Sequence, residues 1–112
     1  MFKIADAQKT YAMVLGVVLA LVGVLGFFNE MVLGYFGVNT LQSVIHLVGG
    51  VLLLWMAGRT ANLWLGWLGL IVAVLGFVAP AFMASLLNIN MAITYLHLAI
   101  GVVSLGVAYG AN

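Results

Sequence analysis

A chain of 112 residues that is 67% hydrophobic and 4% charged cannot be clothed as a water-soluble domain, whose surface needs about 25% charged residues. Its net charge of +1 is too small to attract nucleic acid or to serve as a polybasic lipid anchor, so the partner that composition implies is the lipid bilayer. The absence of cysteine excludes disulfides, thiolate metal sites and a Cys nucleophile.

In chain order, Lys3 and Lys9 lead into "YAMVLGVVLALVGVLGFF", which imitates the charged and apolar regions of a secretory signal. The run is long enough to span a bilayer, and "FFNEMVLGYF" after it offers no small-x-small cleavage site. It reads as a retained first span over 10–28. A spanning helix needs about 20 apolar residues, and three further segments qualify, at 41–57, 63–82 and 90–108. Breaks are expected at "NE" (29–30), "GRTAN" (58–62) and "NIN" (88–90). Asn39 with Thr40, and later Asn88 or Asn90, suit helix N-caps, because their side chains accept from orphan backbone donors. Pro80, near the end of the third segment, is expected to kink or end it, leaving "AFMASLL" as a short outer turn or helix. Strands are not expected, since the apolar runs lack period-two alternation and are too long.

The chain repeats itself. Gly16 and Gly26 recur as Gly66 and Gly76, and "VLGF" at 24–27 recurs at 74–77. "NTLQSVIHLVGG" at 39–50 and "NMAITYLHLAIG" at 90–101 share an Asn, a His-Leu pair seven residues later, and a Gly four after the His. The expected fold is therefore all-α: a single integral membrane domain over 1–112, a four-helix bundle of two tandem, same-orientation hairpins (10–57 and 63–108) related by an axis along the membrane normal. Lys3, Lys9 and Arg59 would share one side and Glu30 would lie on the other, which puts both termini in the cytoplasm by the positive-inside rule. Tyr11, Tyr35, Trp55, Trp64 and Tyr109 fall near span ends, as interfacial aromatic belts do.

On a helix, residues seven or eleven apart lie within about 20° of each other. One stripe on the second span thus holds Asn39, Ser43, His46 and Gly50; its counterpart on the fourth holds Asn90, Thr94, His97, Gly101 and Ser104. Small and polar residues on one face are what helix contacts inside a membrane use. The stripes are expected to face the interior and one another, with both histidines level, about 10 Å from the outer end. Gly16, Gly23 and Gly26, like Gly66, Gly69 and Gly76, read as close packing within one bundle, and Trp64 and Trp67 as an interfacial anchor.

The HL-x2-G pattern on the even-numbered spans, at His46 and His97, resembles a family of small bacterial membrane proteins, domain of unknown function 4383. The resemblance implies a four-helix protein of the bacterial inner (cytoplasmic) membrane and no particular activity.

The leading functional reading is a small non-enzymatic structural or accessory subunit that associates with itself or with a larger membrane complex. Its histidines would be neutral, His46 bonded to Ser43, Gln42 or a facing Asn, and His97 to Thr94. One alternative is tetrapyrrole binding, a chlorophyll-type pigment or haem b held by His46 and His97 with room made by Gly49, Gly50 and Gly101. A haem would find no Lys or Arg on that side for its propionates; a chlorin escapes that objection. A second is a passive proton or small-solute path lined by the Asn, His and Thr stripes. A third is soft-metal binding by His46 and His97 with Met31, Met83 or Met91. Catalysis is not expected: Ser43 lies three residues before His46, but no carboxylate is placed to orient the ring.

Overall fold

The computed structural model describes residues 7–29, 31–32, 34 and 36–111. Lys3, Glu30 and Tyr35, which carry part of the charge and belt readings, lie outside the described residues. Five helices make up almost all of this structure: α1 (Ala7–Gly26), α2 (Thr40–Trp55), α3 (Arg59–Val78), α4 (Pro80–Leu87) and α5 (Met91–Gly110). Helices α1, α3 and α5 are 20 residues each and are long and apolar enough to cross a membrane, at ~30 Å for a rise of ~1.5 Å per residue. The 16 residues of α2 reach only ~24 Å on the same rise.

The boundaries follow local chemistry, with three departures from expectation. The break expected at 58–62 narrows to the three residues between Trp55 and Arg59, so that Arg59 and Asn62 belong to the first turn of α3. The third segment stops at Val78 rather than at 82, and Pro80 opens the separate helix α4; a proline costs nothing at the first helical position, where its missing N–H has no partner to lose. Helix α4 ends on Asn88 in the left-handed conformation (φ 55), which asparagine tolerates. The third departure is a small antiparallel ribbon in the α1–α2 connection, β1 (Met31–Val32) with β2 (Phe36–Gly37), in the register Met31↔Gly37. Gly34, at φ 77, supplies the positive φ of its turn.

Two antiparallel helix pairs dominate the packing, α1 along α2 and α3 along α5. Their seams are made of missing side chains. A β-carbon on Gly50 would lie 2.6 Å from Ala20 N, and one on Gly101 would lie 2.8 Å from Leu70 N. Gly16 admits Leu54, and Gly66 admits Leu105. Gly26 receives the Ser43 side chain, and Gly76 receives Thr94. Each contact in the first pair thus has a counterpart 50 or 51 positions later in the second.

Burial is inverted relative to a water-soluble domain. Most fully buried side chains are small or polar: Ala12, Ser43, Asn62, Ala73 and Ser104 are 0% exposed, with Val38 the branched apolar exception. Large apolar residues such as Leu21, Val74 and Val102 face outward, each more than half exposed. Lipid tails are as apolar as leucine, so helix contacts in a membrane form where small residues let backbones meet, and this burial pattern is compatible with a membrane protein. Among the described residues a larger apolar cluster forms where Met83 of α4 meets Ile89 and Ile93, with Phe36 and Val72 against it.

A histidine pair at the head of an apolar cavity

The two histidines are brought level by matched helix starts. Asn39 Oδ1 accepts from Gln42 N at 2.8 Å and Asn90 Oδ1 from Ile93 N at 3.0 Å, so α2 and α5 begin with the same cap. Seven residues into each helix the rings meet across the gap between the pairs, with centroids 6.1 Å apart and planes 22° from parallel.

Their hydrogen bonding is unlike what sequence suggests. His97 Nδ1 bonds the Ile93 carbonyl at 2.8 Å, not Thr94. A carbonyl only accepts, so Nδ1 carries the proton and Nε2 is left as an acceptor. His46 Nδ1 is sealed from solvent and has no partner among the described residues. The partners proposed for it are turned elsewhere: Gln42 Nε2 donates to Gly37 O (3.1 Å) and Leu87 O (2.7 Å), and Ser43 Oγ, also unpartnered, lies against Gly26.

The stripes divide along their length. Measured around each helix from its Asn cap, Ser43, Gly50, Thr94 and Gly101 lie on one side by ~20–40°, and His46, His97 and Ser104 on the other by a similar angle. The first four pack against the partner helix of their own pair. The second group turns toward the other pair: the histidines meet each other, and Ser104 Oγ hydrogen-bonds Tyr11 OH of α1 at 2.6 Å. Asn39 reaches across as well, donating from Nδ2 to Leu86 O at 2.9 Å. The stripes therefore face each other along one edge only, and the Asn, Thr and Ser groups do not line a common path with the rings.

What the rings do line is a cavity of about 430 Å³ between α2 and α3, with both His46 and His97 in its wall. The remaining lining is almost wholly apolar, including Leu52, Leu65, Leu68 and Trp64, and no charged residue stands among the described lining residues. Gly49 opens onto it, with nothing within 4 Å of where its β-carbon would be. Such a volume is within the usual ~300–1,000 Å³ of small-molecule pockets, which are apolar with a few polar groups. The methionines named for a soft metal do not join the pair: Met83 is buried in the apolar cluster with Ile89 and Ile93, Met91 is 45% exposed, and Met31 Sδ lies against Asn90 Nδ2. The methionine that lines the cavity is Met56. No group of three or more His, Cys, Asp or Glu gathers among the described residues.

A second polar centre, not anticipated, closes the opposite end. Asn62 Nδ2, fully buried, donates to Gln8 O and Gln8 Oε1, both at 2.9 Å. Gln8 Nε2 donates to Val107 O at 2.8 Å and Ala111 O at 3.0 Å. Arg59 adds Nε to Ala108 O at 2.8 Å and Nη2 to Ala111 O at 2.7 Å, a cation where the orphan carbonyls of a helix C-terminus favour one. The available signal was the placement of amide side chains at the very starts of two apolar runs, a position that also suits a loop.

No match was found among curated proteins or among solved structures. One family model does match, described as a domain of unknown function, over residues 9–110. Both histidines and both helix pairs, save the first two residues of α1, fall inside that match, and the chain belongs to the domain of unknown function 4383 family.

Proposed function

We propose that this chain is a non-enzymatic, four-span protein of the bacterial inner membrane that holds a lipid-phase molecule in the cavity between two tandem, same-orientation hairpins. The matched contacts of the two helix pairs support the duplication. Lys9 and Arg59 lie in the first turns of α1 and α3, and Gln8 and Arg59 both reach Ala111 O just past the end of α5; these positions suit a cytoplasmic face for that end. Although α2 is short, its apolar character supports a fourth span.

The observation that carries the functional reading is the pairing of two histidines in the wall of an apolar cavity. The other polar members of the stripes serve packing. An imidazole placed among apolar side chains in a membrane is expensive, and His46 makes no hydrogen bond at Nδ1 to offset that cost. Association with itself or with a larger complex would use the outward apolar faces and leaves the cavity unexplained. Among pigments and cofactors, the uncharged lining favours a neutral molecule over haem b. A non-enzymatic role accords with Ser43 Oγ lying against Gly26 rather than His46.

Gly49→Leu tests this reading, because it fills the cavity from a position with open space around it. Native mass spectrometry of protein released from nanodiscs is expected to show bound non-protein mass on the wild type and none on Gly49→Leu. Equal mass on both, or none on either, sinks the proposal. A coloured wild type bleached by both His46→Ala and His97→Ala would replace it with tetrapyrrole binding.

A further inference from the structure

Resting on the ligand-holding reading, we infer that the cavity selects neutral, lipid-soluble molecules bearing a single hydroxyl, whose oxygen bridges His46 and His97.

The selectivity follows from which protons the rings present. His97 spends its Nδ1–H on the Ile93 carbonyl, so its Nε2 offers the cavity a lone pair and nothing to donate. For His46 the two neutral tautomers differ in what they leave sealed at Nδ1. A sealed, unpaired N–H is the rarer and costlier of the two. The proton therefore sits on Nε2, and His46 offers the cavity a donor. One ring donates and the other accepts. A hydroxyl is the smallest group that does both: its O–H donates to His97 Nε2 while its oxygen accepts from His46 Nε2–H.

Reach and lining agree with this. Two hydrogen bonds of ~2.8 Å to one oxygen span up to ~5.6 Å between nitrogens, the same scale as the 6.1 Å between the ring centroids; with planes only 22° from parallel, the bridge requires the Nε2 edges of the rings, not their faces, to meet the oxygen. Apart from the two histidines and Thr60, the ~430 Å³ is walled by apolar side chains and glycine, with Leu52, Leu65, Leu68 and Trp64 among them, a place for a mainly apolar body. A carboxylate would place an uncompensated charge there, because no charged residue stands among the described lining residues. An ether or ester accepts but does not donate, so it would leave His97 Nε2 unpaired.

Trp64, in the cavity wall, provides the readout in a chain whose other two tryptophans, Trp55 and Trp67, are replaced by Phe. The probes are 9,10-dibromooctadecanol, its methyl ether and 9,10-dibromooctadecane, titrated into detergent-solubilised protein while bromine quenching of Trp64 is followed. Saturable quenching by the alcohol is expected at a concentration at least tenfold below that for the ether or the alkane. Gly49→Leu is expected to abolish the saturable part. His97→Phe should bring the alcohol to the level of the ether. Should that variant fail to fold, the comparison of alcohol with ether on the unsubstituted histidines still decides. Equal half-saturation for alcohol and ether overturns hydroxyl selection while leaving the ligand-holding reading standing. No saturable quenching by any probe removes both. A preference for alcohol that survives undiminished in both His46→Phe and His97→Phe also overturns the inference, since the hydroxyl would then be recognised elsewhere.

Discussion

Gly50 meets Ala20 so closely that a β-carbon added to Gly50 would lie 2.6 Å from the Ala20 amide nitrogen and 2.7 Å from Gly16 O. Backbone cannot swing aside as a side chain does, so Gly50→Ala is expected to cost about 1–3 kcal/mol, as overpacking does. The adjacent Gly49 faces open space, and Gly49→Ala should change stability by less than ~0.5 kcal/mol. Unfolding by SDS titration from mixed micelles compares the two. Equal effects would mean that α1 and α2 do not approach through this residue.

Gly76 and Thr94 form the corresponding close contact in the second pair, where an added β-carbon would come within 2.7 Å of Thr94 Cγ2. Gly76→Ala should therefore destabilise, and Thr94→Ala should relieve part of the damage by withdrawing the atoms that collide. The double variant is expected to be more stable than the sum of the singles predicts, by ~0.5–3 kcal/mol. Strict additivity would place the two residues out of contact.

Asn62 holds Gln8 through two acceptors, and Gln8 in turn holds the end of α5. Loss of the shared donor in Asn62→Ala should cost about 1–3 kcal/mol, because buried acceptors are left unmet. Arg59→Ala should leave the global stability less affected and speed amide hydrogen exchange in the last turn of α5, whose chain end it secures at Ala108 and Ala111. Exchange there unchanged by Arg59→Ala would show that the guanidinium does not hold that terminus.

The proposed four-span topology is open to a clean labelling test, since the chain has no cysteine of its own. Ser85→Cys in α4 and Tyr109→Cys near the end of α5, both at exposed positions, are expected to react with a membrane-impermeant maleimide from opposite sides of the membrane. Tyr109→Cys should react only after the cells are opened. Labelling of both sites from outside would overturn the proposed orientation.

Several features were legible in residues alone because they are written in local order. The caps at Asn39 and Asn90, the stop at Pro80 and the apolar extent of α1, α3 and α5 depend on neighbours a few positions away. The use of small residues for close packing was legible too, since glycines recurring at Gly16, Gly26, Gly66 and Gly76 let backbones approach. The ribbon at Met31–Gly37 was missed because two-residue strands carry no periodicity. Gln8 and Asn62 were missed because an amide at the start of an apolar run looks the same whether it faces water or another helix.

Sequence alone showed helices apolar and long enough to cross a membrane, and two histidines at matching distances from matching caps. It could not say what each edge of the polar stripes would meet. A stripe roughly 60–80° wide on a helix touches two neighbours at once, and its periodicity is silent about which edge meets which. That choice was made when Gly50 closed on Ala20 and Gly101 on Leu70: fixing those seams rotated Ser43 and Thr94 into their own pairs and left His46 and His97 facing each other over an apolar cavity.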